Sequence, residues 1–146
     1  MPSDDFSRIL AIDYGKKRIG IAISDPLRIF ATPRGVIENG PRTMEELKKL
    51  ISSENVRTII VGIPRTLSNT ESEMTAEVIR FRDKLIHALA PLGVSVESRD
   101  ERLTSIMAET NIRSRELPKM KRENKSLRDE EAARILLQEY LDSIQK

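Results

Sequence analysis

Acids at three places in this chain of 146 residues, one of them a pair, have the type and spacing to do chemistry. Asp13 ends the β-rich run 8–13 and, in a strand, shares a face with Ile9 and Ala11. A carboxylate that continues an apolar face is costly unless it is paired, hydrogen-bonded or metal-bound. Asp13-Tyr14-Gly15 is also ordinary turn chemistry. Asp100 and Glu101 follow a predicted strand and precede a predicted helix, where two acids either bind a cation or favour the positive helix end. Asp129 stands three, four and seven residues before Ala132, Ala133 and Leu136, on or beside an apolar helical stripe. With Ser126 three residues earlier it reads equally as a capping acid, while Glu130 and Glu131 are expected to face solvent.

Composition narrows what these acids can do. The chain has no cysteine, which removes disulfides, thiol catalysis and thiolate zinc sites. Its lone histidine, His87, rules out His-paired metal motifs and disfavours a Ser-His-Asp triad, and reads as a helix surface residue. Carboxylates are left to hold metal or move protons. Acids from two strand ends and one helix start suit one or two Mg²⁺ or Mn²⁺ ions, which prefer oxygen ligands.

The net charge of +2 is bland, but it is unevenly spread. Residues 8–34 hold six bases and two acids, and residues 113–128 hold seven bases and two acids. Such stretches recruit a polyanion, unless they are simply solvated surface. Five aromatics are too few for an extended base-stacking platform, and Tyr14 alone lies near the acids. No apolar run is long enough to span a membrane, and no secretory signal is readable, so the expected location is the cytoplasm.

The elements that must position these residues follow from apolar periodicity. Runs 8–13 and 19–24, joined by a short polar stretch, read as a hairpin. A third strand is expected between Ile29 and Ile37, interrupted by Pro33 and Gly35. Thr43 and Glu46 form a capping box before a helix with Met44, Leu47, Leu50 and Ile51 on one face. Residues 57–62 read as a fully buried central parallel strand. Thr70 and Glu73 cap a long helix whose stripe runs from Met74 through Val78, Phe81 and Leu85 to Leu92. A strand over 94–98, a shorter helix from Thr104 or Ser105 to about Ile112, and a last helix capped by Ser126 and Asp129, its stripe running from Ala133 to Ile144, complete an α/β layered domain. One domain over 1–146 is expected, with residues 113–128 mobile in the free protein.

The motifs in their order resemble the YqgF (RuvX) family of Holliday-junction-resolvase-like proteins. They are Ile12-Asp13-Tyr14-Gly15 with Arg18-Ile19-Gly20-Ile21-Ala22, then Val61-Gly62-Ile63-Pro64, Asp100-Glu101-Arg102-Leu103-Thr104-Ser105, and Asp129 leading into Ala132-Ala133 and Ile135-Leu136. The resemblance implies an RNase H-like fold, with a mixed five-stranded sheet and helices on both faces. It also implies a metal-dependent nuclease of the pre-16S rRNA 5′ end, with branched DNA as the older proposed substrate. Carried over by motif, Asp13, Glu101 and Asp129 are the metal ligands, with Asp100 as a further catalytic acid. Lys16, Lys17, Arg18, Arg102 and Lys125 would touch substrate. Resolvases place an acid near the end of the fourth strand, where this chain has Val61-Gly62-Ile63-Pro64, so Glu101 must come from the fifth. After Pro64 the family has an Asn-x-Asp-Gly-like turn that this chain lacks, although Asn69 can adopt a left-handed conformation there. A non-catalytic nucleic-acid-binding module is the competing reading. An ATP site of the actin and Hsp70 kind would need a second such domain.

Overall fold

The computed structural model describes residues 6–64, 73–100 and 125–145, and of residues 125–128 the backbone alone. Strands β1 (Arg8–Asp13) and β2 (Arg18–Ser24) form the expected hairpin, and β3 (Ala31–Glu38) follows. Helix α1 (Thr43–Ser53), β4 (Val56–Ile63), α2 (Glu73–Leu89), a 3₁₀ turn over Ala90–Leu92, β5 (Ser95–Asp100) and α3 (Lys125–Ile144) complete the described elements. The strands lie in the order β3-β2-β1-β4-β5. The β1–β2 and β2–β3 pairs are antiparallel, whereas β1–β4 and β4–β5 are parallel.

Period-two alternation sends each strand's side chains to two cores. Leu10, Ile12, Ile21, Ile59 and Val61 pack toward α1 and α2 against Leu47, Val78, Leu85 and Leu89. On the other face Ile9, Ala11, Ala22 and Ile60 meet Ala133, Leu136, Leu137 and Leu141 of α3. Each fully buried Leu or Ile contributes about 1.5–3 kcal/mol. Two covered faces explain why β4 reads as an unbroken apolar run.

The edges carry different sequences. Strand β3 accommodates Pro33 because its outer side needs no ladder hydrogen bond, and the β2–β3 register shifts between Gly20 and Ala22. It runs to Glu38, one residue beyond its expected range. Strand β5 begins after the buried Val94 and continues to Asp100, with most side chains exposed, the charged Glu97 and Asp100 among them, as suits an edge.

Several local expectations are corrected. Thr43 does not cap α1: Arg42 is the N-cap, without a side-chain cap bond. The Thr43 hydroxyl instead donates to the Glu38 carbonyl at 2.9 Å and accepts from the Gly40 N–H at 2.8 Å, closing the preceding turn. Leu92 leaves the α2 stripe and is exposed, because the chain has already tightened into the 3₁₀ turn. Ser126 lies inside α3 rather than at its cap. Glu131 is buried, not solvent-facing, and takes two hydrogen bonds from Arg134, at 3.2 and 2.8 Å. The Thr70 cap, the 65–71 turn, the helix expected near 104–112 and most of the basic 113–128 stretch lie outside the described residues.

Candidate functional site

Asp13 is the last residue of β1, on the α3 face set by Ile9 and Ala11. Its antiparallel partner is Gly20. A Cβ at Gly20 would collide with the Asp129 carbonyl, so the beginning of α3 rests directly on the sheet backbone at the Asp13–Gly20 pair. One missing side chain thus lets the Asp13 and Asp129 positions meet at the same sheet end and on the same face. The small Ala132 and Ala133, both buried, continue this close seating.

Arg18 lies two residues before Gly20 and shares its face. Its Nε stands 3.5 Å from Asp129 Oδ2, with the two side chains 31% and 28% exposed. That Nε is buried and has no hydrogen-bond partner among the described residues. Arg18 therefore serves first as counter-charge to an acid. A cation held beside the Asp129 carboxylate, at the strand end that also carries Asp13, marks a place where negative charge is concentrated, and hard oxygen donors of this kind fit a divalent ion such as Mg²⁺ or Mn²⁺.

The remaining expected site residues separate. Asp100 pairs with Ile63, which belongs to the core under α1 and α2, so alternation puts Asp100 on the face away from Asp13. Among the described residues no group of three or more His, Cys, Asp or Glu stands close enough to hold a metal. Glu101 and Arg102 lie outside the described residues. Lys16 and Lys17 are exposed in the β1–β2 turn. Asn39 braces that turn: its N–H donates to the Lys17 carbonyl at 2.9 Å and its side-chain amide to the Gly15 carbonyl at 2.8 Å. Lys125 begins α3, one turn before Asp129.

Tyr14 points to the opposite face from Asp13. Its hydroxyl donates to Glu77 Oε2 at 2.6 Å, and its ring lies 4.8 Å from that of Phe81, tilted by 46°. Burial, followed by the hydrogen bond to the Glu77 carboxylate, raises the Tyr14 pKa above its ordinary value. Sequence reasoning missed Glu77, Arg80 and Lys84, which line one cleft with Tyr14. Their i, i+3 and i+7 spacing on α2 was the only signal, and it does not say what they face.

A mixed sheet in this order, helices on both faces and acids gathered at the end of the first strand define the resolvase-like class of RNase H-like folds. Two solved structures share the fold. The Thermus thermophilus RuvC complex with Holliday junction substrate has a TM-score of 0.58 at 15% identity, covering 95% of this chain and 96% of that one. The Fowlpox virus resolvase in complex with Holliday junction DNA has a TM-score of 0.56 at 14% identity, covering 95% and 99%. The chain belongs to the RuvX family, described as "RuvX: Holliday junction resolvase", which it matches over residues 7–143. A relative from Porphyromonas gingivalis, named "Putative pre-16S rRNA nuclease", is 41% identical over 137 residues, covering 93% of this chain and 96% of its own. A relative of the same name from Dictyoglomus thermophilum is 41% identical over 138 residues, with the same coverage.

Proposed function

We propose that this chain is a divalent-metal-dependent nuclease that processes the 5′ end of pre-16S rRNA, one nuclease domain over 1–146 acting in the cytoplasm. The observation that carries the reading is the seating of α3 on Gly20, which brings Asp129 to Asp13 beside Arg18. Family membership and the names of the relatives support the substrate. Asp13 and Asp129 would hold the metal. With Asp100 on the far face, Glu101 is the acid the sequence offers as third ligand. A bound Mg²⁺ or Mn²⁺ supplies Lewis acidity toward a phosphoryl oxygen and an activated water nucleophile.

The chain's own groups do the rest. Lys16 and Lys17 present point charges to phosphates from a turn that Asn39 holds in shape. Arg18 compensates Asp129 until substrate and metal arrive, and its guanidinium then has a phosphate to meet. Arg102 and Lys125 add positive charge from the segments flanking the acids. The family description supports cleavage of branched DNA as a second reading.

The test is cleavage of a labelled pre-16S 5′-leader RNA, beside a four-way DNA junction, in Mn²⁺ or EDTA. Mn²⁺-dependent RNA cleavage is expected, falling by at least about a hundredfold in Asp13→Asn and Asp129→Asn with circular dichroism unchanged. Undiminished cleavage by Asp129→Asn overturns the site. Binding of RNA without cleavage points instead to the non-catalytic module, and cleavage of the junction alone points to the resolvase.

A further inference from the structure

The face of the sheet away from Asp13 carries a cleft of about 260 Å³ between the start of α1 and the middle of α2. This is slightly below the roughly 300–1,000 Å³ of small-molecule pockets, a size for one nucleotide unit and not for a folded segment. Its walls combine two chemistries. Tyr14 and Met44 supply apolar surface, while Arg80 and Lys84, one helical turn apart and both exposed, supply positive charge. Two of the chain's five aromatics, Tyr14 and Phe81, meet here.

The Tyr14 ring is already oriented. Its hydroxyl is tied to Glu77 and its ring lies against Phe81, so little rotamer freedom remains to be lost on stacking. Glu77 is the single acid of the cleft among the described residues, and Tyr14 occupies one of its oxygens. A carboxylate has further acceptor capacity, which suits the N–H edge of a base better than a phosphate. Position completes the case: Tyr14 and Asp13 are consecutive, their Cα atoms about 3.8 Å apart, and their side chains leave opposite faces of the same strand end. A strand rounding that end with one phosphate at Asp13 delivers a neighbouring nucleotide to this cleft.

We propose that the Tyr14–Arg80–Lys84 cleft is a nucleotide subsite, with a base stacked on Tyr14 beside Met44 and a phosphate between Arg80 and Lys84. Its place as a flanking subsite rests on the nuclease reading above, whereas its affinity for a nucleotide does not.

The chain has no tryptophan and two tyrosines, so Tyr140→Phe leaves Tyr14 as its sole strong fluorophore. In EDTA, the full chain carrying that change is titrated with AMP, with a single-stranded RNA tetramer and with inorganic phosphate, against a free-tyrosine blank. AMP and the tetramer should quench Tyr14 saturably, whereas phosphate should not. Arg80→Ala with Lys84→Ala should weaken the AMP midpoint about tenfold. Lys48→Ala with Lys49→Ala, which removes the same charge from exposed positions on α1, should leave it unchanged. Absence of saturable quenching overturns the subsite. Equal weakening by both pairs of substitutions also overturns it, in favour of diffuse attraction. No metal or cleavage enters the readout, so a chain that fails to cut RNA yet shows the quench refutes the nuclease reading and leaves the subsite standing.

Discussion

Arg18 is an unusual choice of partner for Asp129 if stability were its purpose. Its Nε is buried without a hydrogen bond among the described residues, which costs free energy, and a partly exposed ion pair returns only about 0.2–1 kcal/mol. Charge compensation at the proposed cation site accounts for the arrangement better. Removing the guanidinium while keeping an apolar stem, as in Arg18→Met, should therefore raise Mn²⁺ affinity by up to about fivefold, the equivalent of the upper end of that pair energy. Calorimetric titration with Mn²⁺ checks this, and an unchanged affinity would mean that Arg18 does not compete for Asp129. The faces that carry the two acids were legible, because Ile9 and Ala11 fix the face of Asp13, and Ala132 and Ala133 fix the side of the helix near Asp129. The Arg18 contact was not, since it joins residues far apart in the chain. Nor was the burial of Glu131, which depends on Arg134 one turn later and on α3 lying close to the sheet.

The approach of α3 to β2 is set by backbone, not by side chains that can turn aside. Alanine at Gly20 would place a methyl against the Asp129 carbonyl, and overpacking of this kind costs about 1–3 kcal/mol. Gly20→Ala should lower the unfolding free energy by that amount, read as a lower urea midpoint, and weaken Mn²⁺ binding as well, because the helix must lift away with Asp129. A fully stable variant with normal Mn²⁺ affinity would show that the helix is not seated there. At this scale, periodicity revealed the hairpin, the buried strand β4 and the apolar stripes of the helices. It misread the start of α1, because threonine chemistry serves turns as readily as caps, and the Thr43 hydroxyl closes the turn at Glu38 and Gly40. Asp100 could be assigned to its face only once the β4–β5 register was known.

Across the whole molecule, the two ends of the sheet have separate tasks. The acids lie at one end, and at the other the 25–31 turn clasps the far part of α3. Gln138 accepts from the Ala31 N–H and donates to the Ile29 carbonyl, both at 2.9 Å, and the Gln145 side chain donates to the Arg28 carbonyl at 2.8 Å. Asp25 organises that turn. Slight burial opposes its charge, but N–H donors including those of Phe30, Ile29 and Leu27 outweigh it and hold its pKa below the ordinary value. A folded value below the unfolded one makes the charge stabilising above the unfolded pKa of about 3.9, and that contribution is lost as pH falls through the folded value. Asp25→Asn should thus lower stability near neutrality and flatten the acid limb, as read from urea midpoints between pH 2 and 7. An acid limb identical to the parent's would remove Asp25 from this role. The layered architecture was legible from the order of motifs, but the clasp was not, because a turn and a distant helix face carry no shared pattern. The seating of α3 also fixes when the site exists. Asp13 belongs to a hairpin of local contacts, whereas Asp129 reaches it only through long-range closure of the chain, the slower kind of folding event. A folding intermediate with the sheet formed and α3 undocked would lack Asp129 from the proposed metal site, so competence to cut would arrive only with the docking of the last described helix.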